Sequence, residues 1–211
     1  MTKIKQNKVL VQIGTNNGDD AFNKIVRFAH PSKVILVEPN ASLNDKIKEN
    51  YEGVSVIIEN VAITEIDKGL VKIVKPKNII TSTVKYYKGL NYTDVHYSLI
   101  PMDDWGNNFD EMEVPSMSFM SLCEKHNLTD IHYLQIDTEG YDTEIIKSID
   151  FDKVNIDMIQ YERWYFTEDC FKRYGEKGKE YGANGMNYIS ELLDRRGYAL
   201  IRQRENILAL K

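Results

Sequence analysis

The sequence predicts an α/β fold: a mostly parallel sheet with helices on both faces, closed at its C-terminal end by an antiparallel hairpin. Three observations predict it. Short runs rich in Val and Ile alternate with segments of helical periodicity. Several runs, such as Val34-Ile35-Leu36-Val37, are apolar throughout, as strands buried on both faces should be. The last two strand-like segments, Tyr198–Arg202 and Asn206–Leu210, are joined only by Gln203, Arg204 and Glu205, a connection that permits an antiparallel return and no crossover.

The elements follow in order. A strand at Val9–Ile13 leads into a helix at Ala21–Ala29. A second strand, Lys33–Val37, is followed by a helix at Ser42–Tyr51. Further strands are predicted at Val54–Ile58 and Leu70–Val74. A helix at Phe119–His126 precedes the strand Tyr133–Ile136, the helix Thr143–Ile149 and the strand Asp157–Tyr161. A helix at Asn187–Arg196 feeds the hairpin. Right-handed crossovers between parallel strands put helices on both faces. Residues 75–115 and 166–184 show no regular pattern and read as substrate or lid loops. No repeat or Pro/Gly-rich linker divides the chain, so residues 1–211 read as a single domain.

Composition narrows the function. The chain has 211 residues, with 27 Lys plus Arg against 32 Asp plus Glu, for a net charge of −5. Its 42% hydrophobic and 28% charged content is ordinary globular usage, which excludes disordered, collagenous and disulfide-scaffold classes. Mild acidity argues against a protein that coats nucleic acid. The apolar runs fall far short of the ~20 residues of a membrane helix, and the N-terminal stretch lacks the pattern of a signal peptide. Cys123 and Cys170 have no metal-ligand spacing around them and read as free thiols of a cytoplasmic protein.

The most informative local segment is VLVQIGTNNGDD. A buried strand enters Gly14-Thr15-Asn16-Asn17-Gly18 and then a helix. Glycine permits the sharp turn and leaves room for a ligand against the backbone, and a following helix start favours an anionic group. Asn16 stands where a dinucleotide fingerprint has its middle glycine, so a small anion such as an amino-acid carboxylate fits better than a pyrophosphate. An ordinary strand–helix turn would leave the same trace. The second strand ends in Glu38-Pro39, near the offset at which an acidic residue meets a ribose diol. Asn60 and Ala62 follow the third strand, where an amide and a small apolar residue would suit an adenine. In IHYLQIDTEGYDTEIIKS, four carboxylates, Asp137, Glu139, Asp142 and Glu144, crowd a strand end and the following helix start. Asp142 and Glu144 read as charges favoured by the helix dipole. Asp137 and Glu139, nearest the sheet rim, can face a cationic ligand or accept a proton. The cluster lacks the spacing of an EF-hand; a divalent metal is neither required nor excluded.

The histidines offer less. His132 begins the strand that ends in Asp137 and lies at the wrong edge of the sheet; His30 and His126 sit at helix ends; His96 lies in the irregular stretch. An acceptor pocket is expected from that stretch, which carries Ser82, Thr83, Tyr86, Tyr87, Tyr92, Tyr97 and Trp105, and from Glu162-Arg163-Trp164-Tyr165. Lys172, Arg173, Lys177 and Lys179 could recruit an acidic substrate, though such runs are commonly a solvated face.

On the segments VQIGTNNGDD, VILVEPN, NVAIT and above all YLQIDTEGYDTEIIKS, with PSMSFMSLCEKHNLTDI upstream, the sequence resembles the FkbM-type family of class I S-adenosylmethionine-dependent methyltransferases. The resemblance implies a Rossmann-like seven-stranded sheet with the terminal hairpin, S-adenosyl-L-methionine as cofactor and S-adenosyl-L-homocysteine as product. It also implies methyl transfer to oxygen, commonly a hydroxyl of a sugar or other small molecule. Gly14, Thr15, Asn16 and Gly18 then match the cofactor turn, Glu38-Pro39 the ribose segment, and Asn60 and Ala62 the adenine segment. Asp137 and Glu139 match the paired acids, with Asp137 also beside the cofactor, and Glu162 an acid at the next strand end. One position departs from the family: Gln12 replaces an Asp that could pair with the cofactor's ammonium, so either cofactor binding is weaker or another acid substitutes. A dinucleotide oxidoreductase and a nucleoside-binding module without chemistry are the alternatives.

Overall fold

The computed structural model describes residues 8–76, 97–99, 109–163, 183–204 and 206–211. Five strands run parallel in a central sheet: β1 (Val9–Ile13), β2 (Lys33–Val37), β3 (Ile57–Glu59), β8 (Tyr133–Ile136) and β10 (Met158–Glu162). The hairpin of β11 (Ala199–Arg202) and β12 (Asn206–Leu210) completes it, with β12 antiparallel to β10. The seven-stranded order is β11-β12-β10-β8-β1-β2-β3. This is the predicted mostly parallel α/β fold with its terminal hairpin.

Five α-helices are described: α1 (Ala21–Ala29), α2 (Asn44–Asn50), α3 (Phe119–His126), α4 (Asp142–Lys147) and α5 (Ala183–Arg195). Their ends follow from local chemistry. Asp20 caps α1 by accepting from the Asn23 amide at 3.1 Å, and Ser118 caps α3 by accepting from the Ser121 amide, also at 3.1 Å. His30 and Asn127 close the same two helices in the left-handed conformation. Two apolar layers sandwich the sheet. Phe22 and Val26 of α1 and Ile47 of α2 pack on one face with Leu10, Val34 and Leu36. Phe119, Leu122, Ile145, Ile146, Ile189 and Leu193 pack on the other with Val11, Ile13, Ile35 and Leu134. The Phe22 ring stacks on Tyr133 with centroids 5.6 Å apart.

The irregular reading of residues 75–115 is corrected in part. β5 (Leu70–Pro76) leaves the central sheet and pairs antiparallel with β6 (Phe109–Ser118), which also pairs parallel with β4 (Ala62–Thr64). Pro115 sits where β6 changes partner, its last pair with β5 being Leu70↔Pro115 and its first with β4 Ala62↔Ser116. A missing N–H is tolerated at such a junction. Two-residue strands β7 (Asp130–Ile131) and β9 (Asn155–Ile156) pair at the opposite rim. The rest of both expected loops lies outside the described residues, apart from 97–99 and the start of α5, which takes up positions 183 and 184. No helix among the described residues is long and apolar enough to cross a membrane.

Candidate functional site

Strand order reverses between β1 and β8. β1 is followed by a crossover toward β2 on one side, while β8 continues toward β10 on the other. Connections that diverge in this way leave a crevice at the carboxyl ends of the two strands. A cleft of about 770 Å³, its open mouth included, lies there. Gly14 and Asn16 follow β1 into it, Glu38, Pro39 and Asn40 follow β2, and Asp137, Thr138 and Glu139 follow β8. Val37, Leu43, Val61, Ala62 and Ile63 supply an apolar wall. Ile73 and Lys75 of β5, with Tyr97 and Leu99, line another side.

The turn after β1 is built on close approach. The Gly14 and Thr15 amides both donate to the Val37 carbonyl, at 3.0 and 3.1 Å. Gly14 has φ +84°, and a Cβ there would lie 1.7 Å from the Asp137 carbonyl oxygen, so no other residue fits. Gly18 has φ +77° and rests on the Tyr51 ring, away from the cleft lining. Glu38 is 6% exposed, and its carboxylate is aimed by two amides: Asn16 N–H donates to Oε2 at 2.8 Å and Asn40 N–H to Oε1 at 2.9 Å. A carboxylate held in this way remains an acceptor for a diol.

Two non-glycine residues of the cleft lie in the left-handed region, Asn16 at φ 50° and Glu139 at φ 55°. The other two such residues among those described, His30 and Asn127, are ordinary helix caps. Backbone strain outside a cap concentrates at functional sites. Glu139 is also fixed from outside its turn, since the Ser98 hydroxyl donates to its carbonyl at 2.8 Å.

Besides Gly18, three residues of the predicted set lie elsewhere. Asn60 does not line the cleft; its amide donates to the Glu38 carbonyl at 2.8 Å and pairs with the side chain of Asn44. Thr15 is buried behind the turn. Glu162 ends β10, one strand beyond β8, and is not part of the lining. Gln12 is fully buried on the α1 face, where its amide donates to the Asp20 carboxylate. An acid thus stands beside position 12, and an Asp there would face it with like charge. His132 accepts from the Val9 amide at 3.2 Å, far from the cleft, and His126 pairs with Glu59 at 2.7 Å. Cys123 is buried, and desolvation pushes its thiol up to about 12. His96, Cys170 and most of the expected acceptor-pocket residues fall outside the described residues; Tyr97 lines the cleft.

Asp142 is the residue that the sequence reading undervalued. It is 1% exposed, yet it is no simple helix charge. Its carboxylate accepts from the Thr138 amide at 2.8 Å, from the Thr138 hydroxyl, and from the Glu162 amide at 3.1 Å. Burial pushes its pKa up to about 6, against the lowering by these hydrogen bonds and with a further push from the Glu139 charge.

The family model for the methyltransferase FkbM domain matches residues 12–200. The chain belongs to the FkbM methyltransferase family. It is accordingly an S-adenosylmethionine-dependent methyltransferase, which decides against the dinucleotide oxidoreductase. No curated protein matches the chain. Solved structures similar to this methyltransferase include precorrin-6y C5,15-methyltransferase from Geobacter metallireducens, at 11% identity and TM-score 0.43, covering 99% of this chain and 84% of that one. Human methyltransferase 10 domain containing protein is similar at 10% identity and TM-score 0.41, covering 99% and 72%. The methyltransferase domain of bacterial CtHen1 is similar at 7% identity and TM-score 0.39, covering 96% and 88%.

Proposed function

We propose that this methyltransferase acts on a hydroxyl oxygen of a sugar or other small molecule, with the cofactor in the cleft between β1 and β8 and the acceptor beside Asp137 and Glu139. The observation that carries the reading is the convergence of an amide-aimed, buried Glu38 and a strained acidic turn on one cleft. The donor chemistry fits the cofactor. One acceptor-only carboxylate suits a ribose diol, and the wall of Pro39, Leu43, Val61 and Ala62 suits a flat heterocycle. When bound, the cofactor supplies a methyl group activated on a sulfonium.

The chain's own task is then to align and deprotonate. Orientation of two reactants can supply up to ~7–11 kcal/mol of the barrier. A hydroxyl must lose its proton as the new carbon–oxygen bond forms and the carbon–sulfur bond breaks. Asp137 and Glu139 are the carboxylates at the rim that can take that proton, and general-base help is typically worth ~10²–10⁴ in rate. Glu162 enters only through its strand-end position next to this turn.

Titration calorimetry with S-adenosylmethionine, S-adenosylhomocysteine and NAD tests the cofactor half: the first two should bind and NAD should not. Glu38→Ala should weaken S-adenosylhomocysteine binding by more than ~1 kcal/mol, because a charged hydrogen-bond partner is lost; an unchanged constant would remove the ribose role. A panel of sugar and small-molecule alcohols, followed by release of S-adenosylhomocysteine, tests the acceptor half. There Asp137→Asn should lower turnover more than cofactor affinity.

A further inference from the structure

Asp142 links two strands through its side chain. β8 stops pairing with β10 at Ile136↔Tyr161, and its chain turns away into Asp137, Thr138 and Glu139. The next residue of β10, Glu162, is paired with Asn206 of β12 on one side but has no β8 residue opposite it on the other. The Asp142 carboxylate takes that place with Oδ2 at 3.1 Å, while Oδ1 holds the Thr138 amide at 2.8 Å and the Thr138 hydroxyl. Thr138 is the residue between the two acids of the cleft. The three bonds occupy a carboxylate that is 1% exposed, beside the fully buried Tyr161 ring. A neutral side chain would be the cheaper occupant of such a position, since an ionised group loses its hydration there. An amide cannot replace it, because one of its two ends is a donor and would face an N–H.

We propose that Asp142 is a positioning residue that locks the Asp137–Glu139 turn to the end of β10 and thereby fixes the acids toward the reacting centre. The proposal rests on the reading of Asp137 and Glu139 given above. Among the described residues, the Glu139 charge from its own turn and the Tyr161 hydroxyl from β10 interact electrostatically with Asp142, while Glu162 meets it through its backbone amide.

The test needs no acceptor. In the unliganded protein, the amide resonances of Thr138 and Glu162 should titrate together with a midpoint near 6, although one follows β8 and the other ends β10. In Asp142→Asn both should be flat, and in Glu139→Gln the shared midpoint should move down, because the Glu139 charge holds it up. The functional readout uses sinefungin, which carries a protonated amine where the sulfonium stands. The parent should prefer it over S-adenosylhomocysteine, and Asp142→Asn should lose roughly tenfold of that preference, as expected for hydrogen bonds to a charged group. Separate midpoints for the two amides, or an undiminished preference in a folded Asp142→Asn, would overturn the positioning role. Common titration without any preference in the parent would instead remove the reading of Asp137 and Glu139, and reduce Asp142 to a structural tie.

Discussion

Glu139 occupies a conformation that costs an L-residue about 1–2 kcal/mol, and it is followed by Gly140 at φ 110°, which is free to adopt it. A glycine at position 139 would release that strain, at the cost of about 0.5–1 kcal/mol in unfolded-state entropy. Glu139→Gly should therefore leave stability equal or higher by up to about 1.5 kcal/mol while abolishing most turnover. Urea unfolding beside a methyl-transfer assay checks both halves, and a clear destabilisation would mean that the glutamate serves the fold. At this scale the lining of the cleft was legible wherever a candidate residue closely follows a buried strand. Gly14, Glu38, Asp137 and Glu139 all do so, and all four line the cleft. Asp142 was not legible, because the amides it holds belong to Thr138 and to Glu162 on another strand. That Asn60 stands outside the lining was not legible for the same reason: its short link to the Glu38 carbonyl exists only once β2 and β3 are paired.

Elements with a capping residue and a closed apolar face were read almost to the residue. β1, β2, β8, α1 and α3 lie where the pattern put them, since Asp20, Ser118, His30 and Asn127 mark helix ends within the sequence itself. The small sheet of β4, β6 and β5 was not readable. β6 alternates charge with apolar residues and carries Pro115, a pattern that signals a loop unless its two partners are known. The start of α1 carries its own prediction. Gln12 donates to Asp20 beneath the first turn, and Asp20 also caps the helix. Gln12→Asp would exchange that bond for two carboxylates in contact, one of them fully buried. The expected loss is about 2–4 kcal/mol in urea unfolding, most of it restored by adding Asp20→Asn. If Gln12→Asp alone unfolds like the parent, the pairing does not explain why this chain tolerates a neutral residue at that position.

Across the whole molecule, three carboxylates give stability an unusual dependence on pH. Burial pushes Glu59 up, but the hydrogen bonds from Lys125 and His126 outweigh it and hold the group below its ordinary range. Glu65 behaves alike: burial raises it, while Lys68 and the Tyr141 hydroxyl bring it down to about 2. Both are depressed relative to the unfolded chain, so their contribution is complete above the ordinary carboxylate range and is lost as pH falls through the folded values. Glu65 adds little, being substantially exposed. Asp142 runs the other way. Its folded value of about 6 lies above the ordinary aspartate value of 3.8, so the folded state holds the proton more tightly. Its contribution is complete below about pH 4 and is lost as pH rises through about 6. Stability should therefore peak near pH 4–5 and decline toward neutrality by at most about 3 kcal/mol. A decline where carboxylates normally stabilise means that the charged form of Asp142 is retained against the interest of the fold, as a group serving the site would be. Unfolding free energies measured from about pH 4.5 to about pH 7.5 should fall in the parent and stay level in Asp142→Asn. A parent that instead gains stability over that range would show that the three hydrogen bonds more than offset the burial of the charge, and that Asp142 holds the acidic turn at no cost to folding.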